Sequence, residues 1–317
     1  MYPERISCAD SKGVEEAMEK ILDLETVHQC NGCAGASTIH PLVGVMDLAQ
    51  FPWDGNQIKF GFYTILLFKG SCRDYSYGRE SCDYSNASML FFKPGSVFSF
   101  KRGCMKPKSG SLLAFHSDFL YKVALGRHIQ DYTFFDYKQE ESLHLSCREE
   151  AKVRCLLSEI QQELQHPIDV FTKTLVSRHI ELLLDYCQRY YERQFITRSE
   201  AKQALAGQLE VLLWKYVKEG RLKNGTFPSV ADCALEFGFS EAYFLDLLKF
   251  ETGLDFYEYL QSRRLEMAKT LLLASENTPA SVTEDLGYPN VQYFSSLFKK
   301  LTGLSPVEYR QAELKAL

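Results

Sequence analysis

The feature that most constrains this chain is an internal repeat near its C-terminal end. Residues 243–259 align with residues 293–309 at an offset of 50 positions, and nine of the seventeen pairs are identical. A repeat at a fixed spacing indicates a duplicated structural unit. The identical pairs are Tyr243/Tyr293, Phe244/Phe294, Leu247/Leu297, Lys249/Lys299, Thr252/Thr302, Gly253/Gly303, Leu254/Leu304, Glu258/Glu308 and Tyr259/Tyr309.

Each copy predicts a short helix, a tight turn and a second helix. Gly238 and Gly287 are placed to end the first helices, because glycine adopts the left-handed conformation of a helix end. The second helices carry apolar residues at helical spacing, which predicts a buried stripe. The expected stripes are Tyr243, Phe244, Leu247 and Leu248 in one copy, and Tyr293, Phe294, Leu297 and Phe298 in the other.

Two helices joined by a turn of three or four residues with glycine follow the helix-turn-helix plan, whose second helix enters the DNA major groove. The predicted helix between the copies, residues 256–273, would be about 27 Å long. Such a helix could hold the two second helices about one turn of DNA, roughly 34 Å, apart.

The repeat region resembles the DNA-binding domain of the AraC/XylS family of transcription regulators. We place this domain at residues 207–317, with helix-turn-helix units at 229–253 and 278–303. The resemblance implies double-stranded promoter DNA as a partner, a homodimer and a small-molecule effector, with RNA polymerase as a further candidate partner. The matching residues are Gly238-Phe239-Ser240, Tyr243-Phe244, Thr252-Gly253, Tyr259-Leu260, Arg264-Leu265, Ala268, Leu271-Leu272, Gly287-Tyr288, Tyr293-Phe294, Phe298-Lys299-Lys300, Thr302-Gly303, Pro306 and Glu308-Tyr309-Arg310.

The charge of this region departs from that of a typical DNA-binding domain, which is basic. Residues 207–317 hold 12 Lys and Arg against 15 Asp and Glu, a net charge of −3. Acidic residues gather in the first copy, whereas Lys299, Lys300 and Arg310 gather in the second. In the first helix of the second copy, Thr283 and Pro279 occupy positions that are usually alanine and aliphatic in the family, so we expect that helix to start late or pack loosely.

The face opposite the buried stripe should meet DNA. Amide and hydroxyl side chains suit base edges, and lysine neutralises phosphate. Asp246 would repel phosphate unless it accepts a hydrogen bond from a cytosine, which makes base reading by the first unit doubtful. The predicted contacts of the second unit are Asn290, Val291, Gln292, Ser295, Ser296, Lys299 and Lys300. Those of the first unit are Ser240, Ala242, Leu245, Asp246 and Lys249.

Residues 36–145 predict a β domain, after a poorly patterned segment 1–35 in which 14–24 could form a short helix. Short apolar runs alternate with glycine and proline turns, a pattern typical of a sandwich or barrel. The segment Phe91–Gly95 resembles the Pro-Gly turn of cupin-like sensor barrels, which implies a ligand-sensing barrel. The predicted strands are 43–48, 58–68, 89–92, 97–100, 112–115 and 134–137.

Residues 146–194 predict two helices, and residues 195–206 a polar linker. Ser146 and Glu149 form a capping-box pattern at the start of the first helix. In the second, apolar residues recur at spacings of 4, 3, 4 and 3, which favours a coiled-coil dimer seam, although packing against the barrel is the alternative. The seam residues are Val176, Ile180, Leu183, Cys187 and Tyr190.

No catalytic motif is present in the sequence, so we expect no enzyme activity and no cofactor. Cys30 and Cys33 form the one close cysteine pair, which we interpret as part of a loop. Without a His-x-His pair or a second CxxC, we expect no metal site. The sequence has neither a membrane span nor a signal peptide, which favours a cytoplasmic protein.

The sequence therefore predicts a two-domain α+β protein. A cupin-like β barrel or sandwich with trailing helices precedes an all-α domain of two helix-turn-helix units joined by a long helix. We expect a DNA-binding transcription regulator that responds to a signal at its N-terminal domain. The alternative is an interaction protein whose degenerate helix-turn-helix domain binds another protein.

Overall fold

The computed structural model describes residues 21–51, 57–69, 86–99, 109–201, 205–274 and 276–316. The chain is mixed α/β in its N-terminal part and entirely helical from residue 147 onward in the residues described. No helix in those ranges is both long enough and apolar enough to cross a membrane.

The described strands form two open sheets, with strand orders β1-β3-β6 and β2-β7-β4-β5-β8. Across the residues that the structure describes, neither sheet closes on itself, so the closed-barrel form of the predicted β domain is not found. The strands are β1 Ile21–Leu24, β2 Val43–Asp47, β3 Gln57–Phe60, β4 Tyr63–Phe68, β5 Ala87–Phe92, β6 Val97–Phe98, β7 Gly110–Phe115 and β8 Leu143–Leu145.

Alternate residues of the larger sheet enter two different cores. Leu66, Leu90 and Leu112 join a core that they share with residues of the smaller sheet, such as Phe60. Their neighbours in sequence, among them Ile65, face the core that the helices cover. Side chains alternate between the two faces of a strand, so strands buried on both faces are apolar at nearly every position.

Three predictions for this region need correction. The predicted strand 58–68 is two strands, β3 and β4, because the chain bends at Gly61, where an added Cβ would lie 2.9 Å from the Glu25 Cα. The predicted strand 134–137 is a 3-10 turn, Thr133–Asp136, and β8 follows it instead. Residues 21–24 of the predicted first helix form strand β1, and the rest of that helix lies outside the described residues, as does residue 100.

The cysteine pair lies on a helix rather than in a loop. Helix α1, Val27–Cys33, begins with a capping box formed by Thr26 and Gln29. Cys30 is buried, and burial together with the neighbouring Cys33 raises the pKa of its thiol to about 12. A thiol with a raised pKa stays protonated and is a poor nucleophile at neutral pH.

Two long helices cover the larger sheet: α3, Cys147–Gln165, and α4, Thr172–Ala201, which follow the short helix α2, Leu125–His128. Ser146 and Glu149 form the predicted capping box. The predicted dimer seam is corrected, because its side chains lie in the chain's own core and have no surface left for a partner. Those residues, Val176, Ile180, Leu183, Cys187 and Tyr190, are at most 8% exposed.

The predicted linker 195–206 is largely helical. Helix α4 continues to Ala201, and α5 begins at Leu205. Phe195, at the predicted start of the linker, is 3% exposed and belongs to the core of the C-terminal helices. The last turns of α4 therefore form part of the contact between the N-terminal and C-terminal parts of the chain.

The C-terminal part consists of seven helices in the described residues. Helix α9 begins at Pro279 rather than late, with Thr278 as its N-cap, and the Thr283 hydroxyl donates to the Pro279 carbonyl at 2.6 Å. The helices are α5 Leu205–Lys218, α6 Val230–Phe237, α7 Glu241–Thr252, α8 Phe256–Leu273, α9 Pro279–Asp285, α10 Val291–Thr302 and α11 Pro306–Ala316.

Candidate nucleic-acid interface

Both copies of the repeat have the predicted helix-turn-helix backbone. Helix α6 ends at Phe237 and is followed by Gly238, whose φ of 71° is left-handed, and the Ser240 side chain then caps α7. In the second unit Gly287 has a φ of 68° and the Asn290 side chain caps α10. The second helices α7 and α10 are therefore the two candidate recognition helices.

Helix α8 joins the units, and Arg264 at its centre fixes it to the second one. The guanidinium of Arg264 donates to the Leu286 carbonyl at 2.8 Å. It also lies 4.1 Å from the centre of the Tyr288 ring and 4.8 Å from that of the Phe227 ring. Arg264 is 8% exposed, so these contacts form in a largely dry environment.

Helix α10 buries Phe294 and Phe298 and presents the opposite face to solvent. Ser295 is half-buried, and the Asn290 side chain is occupied as the N-cap, accepting from the Tyr293 N–H at 2.8 Å. The other predicted contacts, Val291, Gln292, Ser296, Lys299 and Lys300, are all exposed.

One residue of the predicted buried stripe lies on the exposed side of α10. Tyr293 was expected to be buried but is 52% exposed. The ring lies 6.5 Å from that of Tyr288, at the edge of the stripe rather than within it. Tyrosine suits both environments, so the sequence pattern alone carried no signal that separates them.

The positive charge of the second unit is concentrated on two side chains. Lys299 and Lys300 have no carboxylate at ion-pair distance in the part of the chain that the structure describes. Arg310, predicted to belong to the same cluster, instead donates to the carbonyls of Ala274 and Asn277 at 2.7 Å each. Arg310 thus closes the end of α8.

The first unit differs because the N-terminal domain packs against α7. Asp246, which we expected to face DNA phosphates, accepts a hydrogen bond from the Tyr137 hydroxyl at 2.7 Å. The Thr133 hydroxyl donates to the same oxygen. Burial, and then the negative charge of Asp246, raise the pKa of the Tyr137 phenol, so it stays protonated and remains a donor.

A second set of contacts holds the start of α7. The Glu141 carboxylate accepts from the Ser240 N–H and from the Ser240 hydroxyl, both at 2.6 Å. Lys138 donates to the Phe239 carbonyl at 2.7 Å, in the turn between α6 and α7. The turn and the first residues of α7 are therefore bound to residues of the N-terminal domain.

The remaining first-unit residues stay closer to solvent. Ala242 is half-buried, Leu245 is 37% exposed and Lys249 is exposed. Glu251 accepts from the backbone N–H groups of Leu205 and Ala206, at the start of α5. Two of the acidic residues of this unit, Asp246 and Glu251, therefore have structural partners, which accounts for part of its unusual charge.

Comparison with known proteins identifies the class of the C-terminal part. Residues 233–312 match the family described as "Helix-turn-helix domain". Taken with the residues of the repeat, the C-terminal part of this chain is a helix-turn-helix domain of the AraC type. The family match begins inside α6, covers the rest of both units and leaves the N-terminal domain unassigned.

The relatives are regulators that bear the same kind of domain. The chain is 30% identical over 130 residues to the "Uncharacterized HTH-type transcriptional regulator YobQ" of Bacillus subtilis, covering 37% of this chain and 53% of that protein. It is 29% identical over 190 residues to the "Uncharacterized HTH-type transcriptional regulator YijO" of Escherichia coli, covering 60% and 63%. The chain thus spans less than two thirds of each of these curated relatives.

A solved structure of fatty-acid-bound ToxT from Vibrio cholerae also aligns. The alignment covers 85% of this chain and 94% of that one, at 20% identity and a TM-score of 0.29. A TM-score this low supports no conclusion about the present chain.

Proposed function

We propose that this protein is a transcription regulator that binds double-stranded DNA sequence-specifically through α10. The observation that carries the proposal is the exposed face of α10, where an amide, hydroxyl groups and two lysines lie opposite a buried aromatic stripe. Gln292 can make a bidentate contact to adenine, and Lys299 and Lys300 can neutralise phosphates. Regulators with the same type of domain are the relatives of the chain.

The test is selection of bound duplexes from a randomised pool, followed by titration of the selected sequence. Gln292→Ala should cost roughly 1–3 kcal/mol at one base-pair position. Lys299→Ala should weaken binding to every sequence and lower the salt slope by about one, because one phosphate is no longer neutralised. Lys152→Ala, in α3 of the N-terminal domain, is the matched control. Equal binding by all of these variants would contradict the proposal.

The interaction-protein alternative also has an observation in its favour, since α7 already packs against the chain's own N-terminal domain. Under that alternative the chain binds duplex DNA weakly, and Gln292→Ala leaves the sequence preference of any bound DNA unchanged. A steep fall of affinity with salt supports DNA binding, because each phosphate contact releases counterions.

The regulatory partners remain part of the proposal. A homodimer can no longer use the predicted seam, but α4 exposes Leu175 and Leu182 at a spacing of seven residues, 41% and 42% accessible. Sedimentation of the double variant Leu175→Glu, Leu182→Glu measures whether the dimer is lost, and so tests that face. A small-molecule effector at the N-terminal domain and RNA polymerase as a partner follow from the family resemblance alone, and a cytoplasmic location follows from the sequence pattern alone.

A further inference from the structure

The two copies of the repeat offer an internal comparison, because the same residue occurs in two environments. Tyr293 of α10 is 52% exposed, whereas its repeat partner Tyr243 of α7 is 1% exposed. The capping residues differ in the same way, since Asn290 is exposed and Ser240 is 9% exposed. The edge that α10 presents to solvent is therefore covered in α7.

Residues 133–141 of the N-terminal domain, which we call the docking segment, form this cover together with Phe195 of α4. The Tyr137 ring meets the Tyr243 ring edge-on at 5.1 Å, and Phe195 of α4 does so from another side at 5.3 Å. Together with the bonds of Asp246 and Ser240, these contacts cover one edge of α7 from its first turn to its middle.

The sizes of an α-helix and of the DNA major groove show that α7 cannot be docked and bound to DNA at the same time. The major groove is about 12 Å wide. An α-helix with its side chains is about 10–12 Å across, so a helix in the groove has DNA on both flanks. The N-terminal end of a recognition helix meets the base edges, and that end is where Glu141 and Lys138 bind.

We propose that the docking segment and DNA compete for the same edge of α7. In the docked chain only α10 is free to bind DNA, and α7 becomes available when the bonds to Asp246 and Ser240 break. This inference rests on the proposed function and adds its regulation. A binding site that is open in only a fraction of the molecules lowers the apparent affinity by that fraction.

Removing the hydroxyl groups of the docking segment tests the competition without altering the DNA-binding domain. Tyr137→Phe and Thr133→Val each remove one donor to Asp246. Hydrogen bonds to charged groups are strong enough that Tyr137→Phe should tighten binding about tenfold. Tyr132→Phe is the matched control, because the Tyr132 hydroxyl donates to Asp185 of α4 and not to the C-terminal domain.

The measurements are titration of the full-length chain with a fluorescein-labelled duplex of randomised core, and hydrogen exchange of the α7 amides without DNA. We expect Tyr137→Phe to bind more tightly and to exchange faster over residues 240–246, with Tyr132→Phe unchanged in both. Binding and exchange by Tyr137→Phe that match Tyr132→Phe would overturn the competition. Should Tyr137→Phe lose structure, shown by faster exchange in β4 and β7, Glu141→Gln provides the same test from the other contact.

Asp246→Ala separates docking from simple charge repulsion. If Asp246 acts through docking, its effect on affinity and that of Tyr137→Phe are not additive, because both break the same contact. If Asp246 merely repels phosphate, Asp246→Ala tightens binding whereas Tyr137→Phe, which removes no charge, does not, and the proposal is wrong. Faster α7 exchange in Tyr137→Phe with no DNA binding by any variant would refute the proposed function and the competition, and leave the docking contact standing.

Discussion

The contact of Arg264 with the second unit gives a prediction whose size can be worked from the structure. Replacing Arg264 with alanine removes a charged donor from the Leu286 carbonyl and a guanidinium from between two aromatic rings. A hydrogen bond from a charged group contributes about 1.5–3 kcal/mol. A cation–π contact contributes about 0.5–2 kcal/mol. The cost of desolvating the guanidinium, which lowers the pKa of Arg264, offsets part of this gain.

We therefore expect Arg264→Ala to lower the stability of the second unit by about 3 kcal/mol. Hydrogen exchange of the α9 and α10 amides in the full-length chain measures this directly, with amides of β4 and β7 as an internal reference. Arg263→Ala is the control: the neighbouring arginine is half-exposed and forms a surface ion pair with Glu210 at 3.4 Å. Such pairs contribute at most about 1 kcal/mol. A difference of less than about 1 kcal/mol between the two variants would refute our account of Arg264 as the anchor of the second unit.

Three further predictions concern local structure. Gly287→Ala should destabilise the second unit far more than Gly303→Ala in chemical denaturation. Both glycines have a positive φ, but only at Gly287 would the new Cβ lie 2.3 Å from a backbone oxygen, that of Leu222. Equal effects of the two substitutions would contradict this prediction. Glu251→Ala should cost about 1 kcal/mol, as removal of a helix cap does, and speed exchange at Leu205 and Ala206, whereas the exposed Glu241→Ala should not. At mildly alkaline pH iodoacetamide should label the exposed Cys147 and Cys155 but not Cys30 or Cys233. Burial raises the pKa of the Cys30 and Cys233 thiols to about 12, so both stay protonated at that pH. Labelled Cys30 in mass spectrometry would count against the buried position of Cys30 in α1.

The helix-turn-helix domain could be predicted because its signals are local. Glycine turns, capping residues and an apolar stripe at helical spacing lie within about twenty residues of one another. Each of these signals occurs twice because the unit is duplicated. The structure confirms both units, including the left-handed glycines Gly238 and Gly287. Sequence patterns of this kind depend on backbone conformation and helix periodicity, which are determined by residues close together in the sequence.

The docking of α7 could not be predicted, because it joins residues far apart in sequence. Asp246 lies 109 positions from Tyr137, and nothing in either neighbourhood marks the pair. The negative charge of Asp246 was visible, but its partner was not. An acidic residue on a predicted DNA-facing surface is consistent with repulsion, base reading or a contact with protein.

The apolar spacing on α4 was ambiguous for a different reason. Burial of apolar surface is non-directional, so a heptad-like stripe is stabilised equally by a second chain or by the chain's own sheet. The structure places Ile180 and Leu183 against the chain's own core. The 3-10 turn at Thr133–Asp136 was missed because short apolar runs fit strands and turns alike.

The composition of the docking segment affects what happens when it separates from α7. Its contacts come from tyrosine, threonine, lysine and glutamate side chains, which carry polar groups beside their apolar parts. Tyrosine in particular can face a partner or water, as the exposed Tyr293 shows. Separation of the docking segment therefore uncovers surfaces that water can wet, unlike the largely apolar cores on either side of the larger sheet. The undocked chain should stay free of the self-association that a bare apolar patch causes, which makes this contact suited to repeated opening and closing.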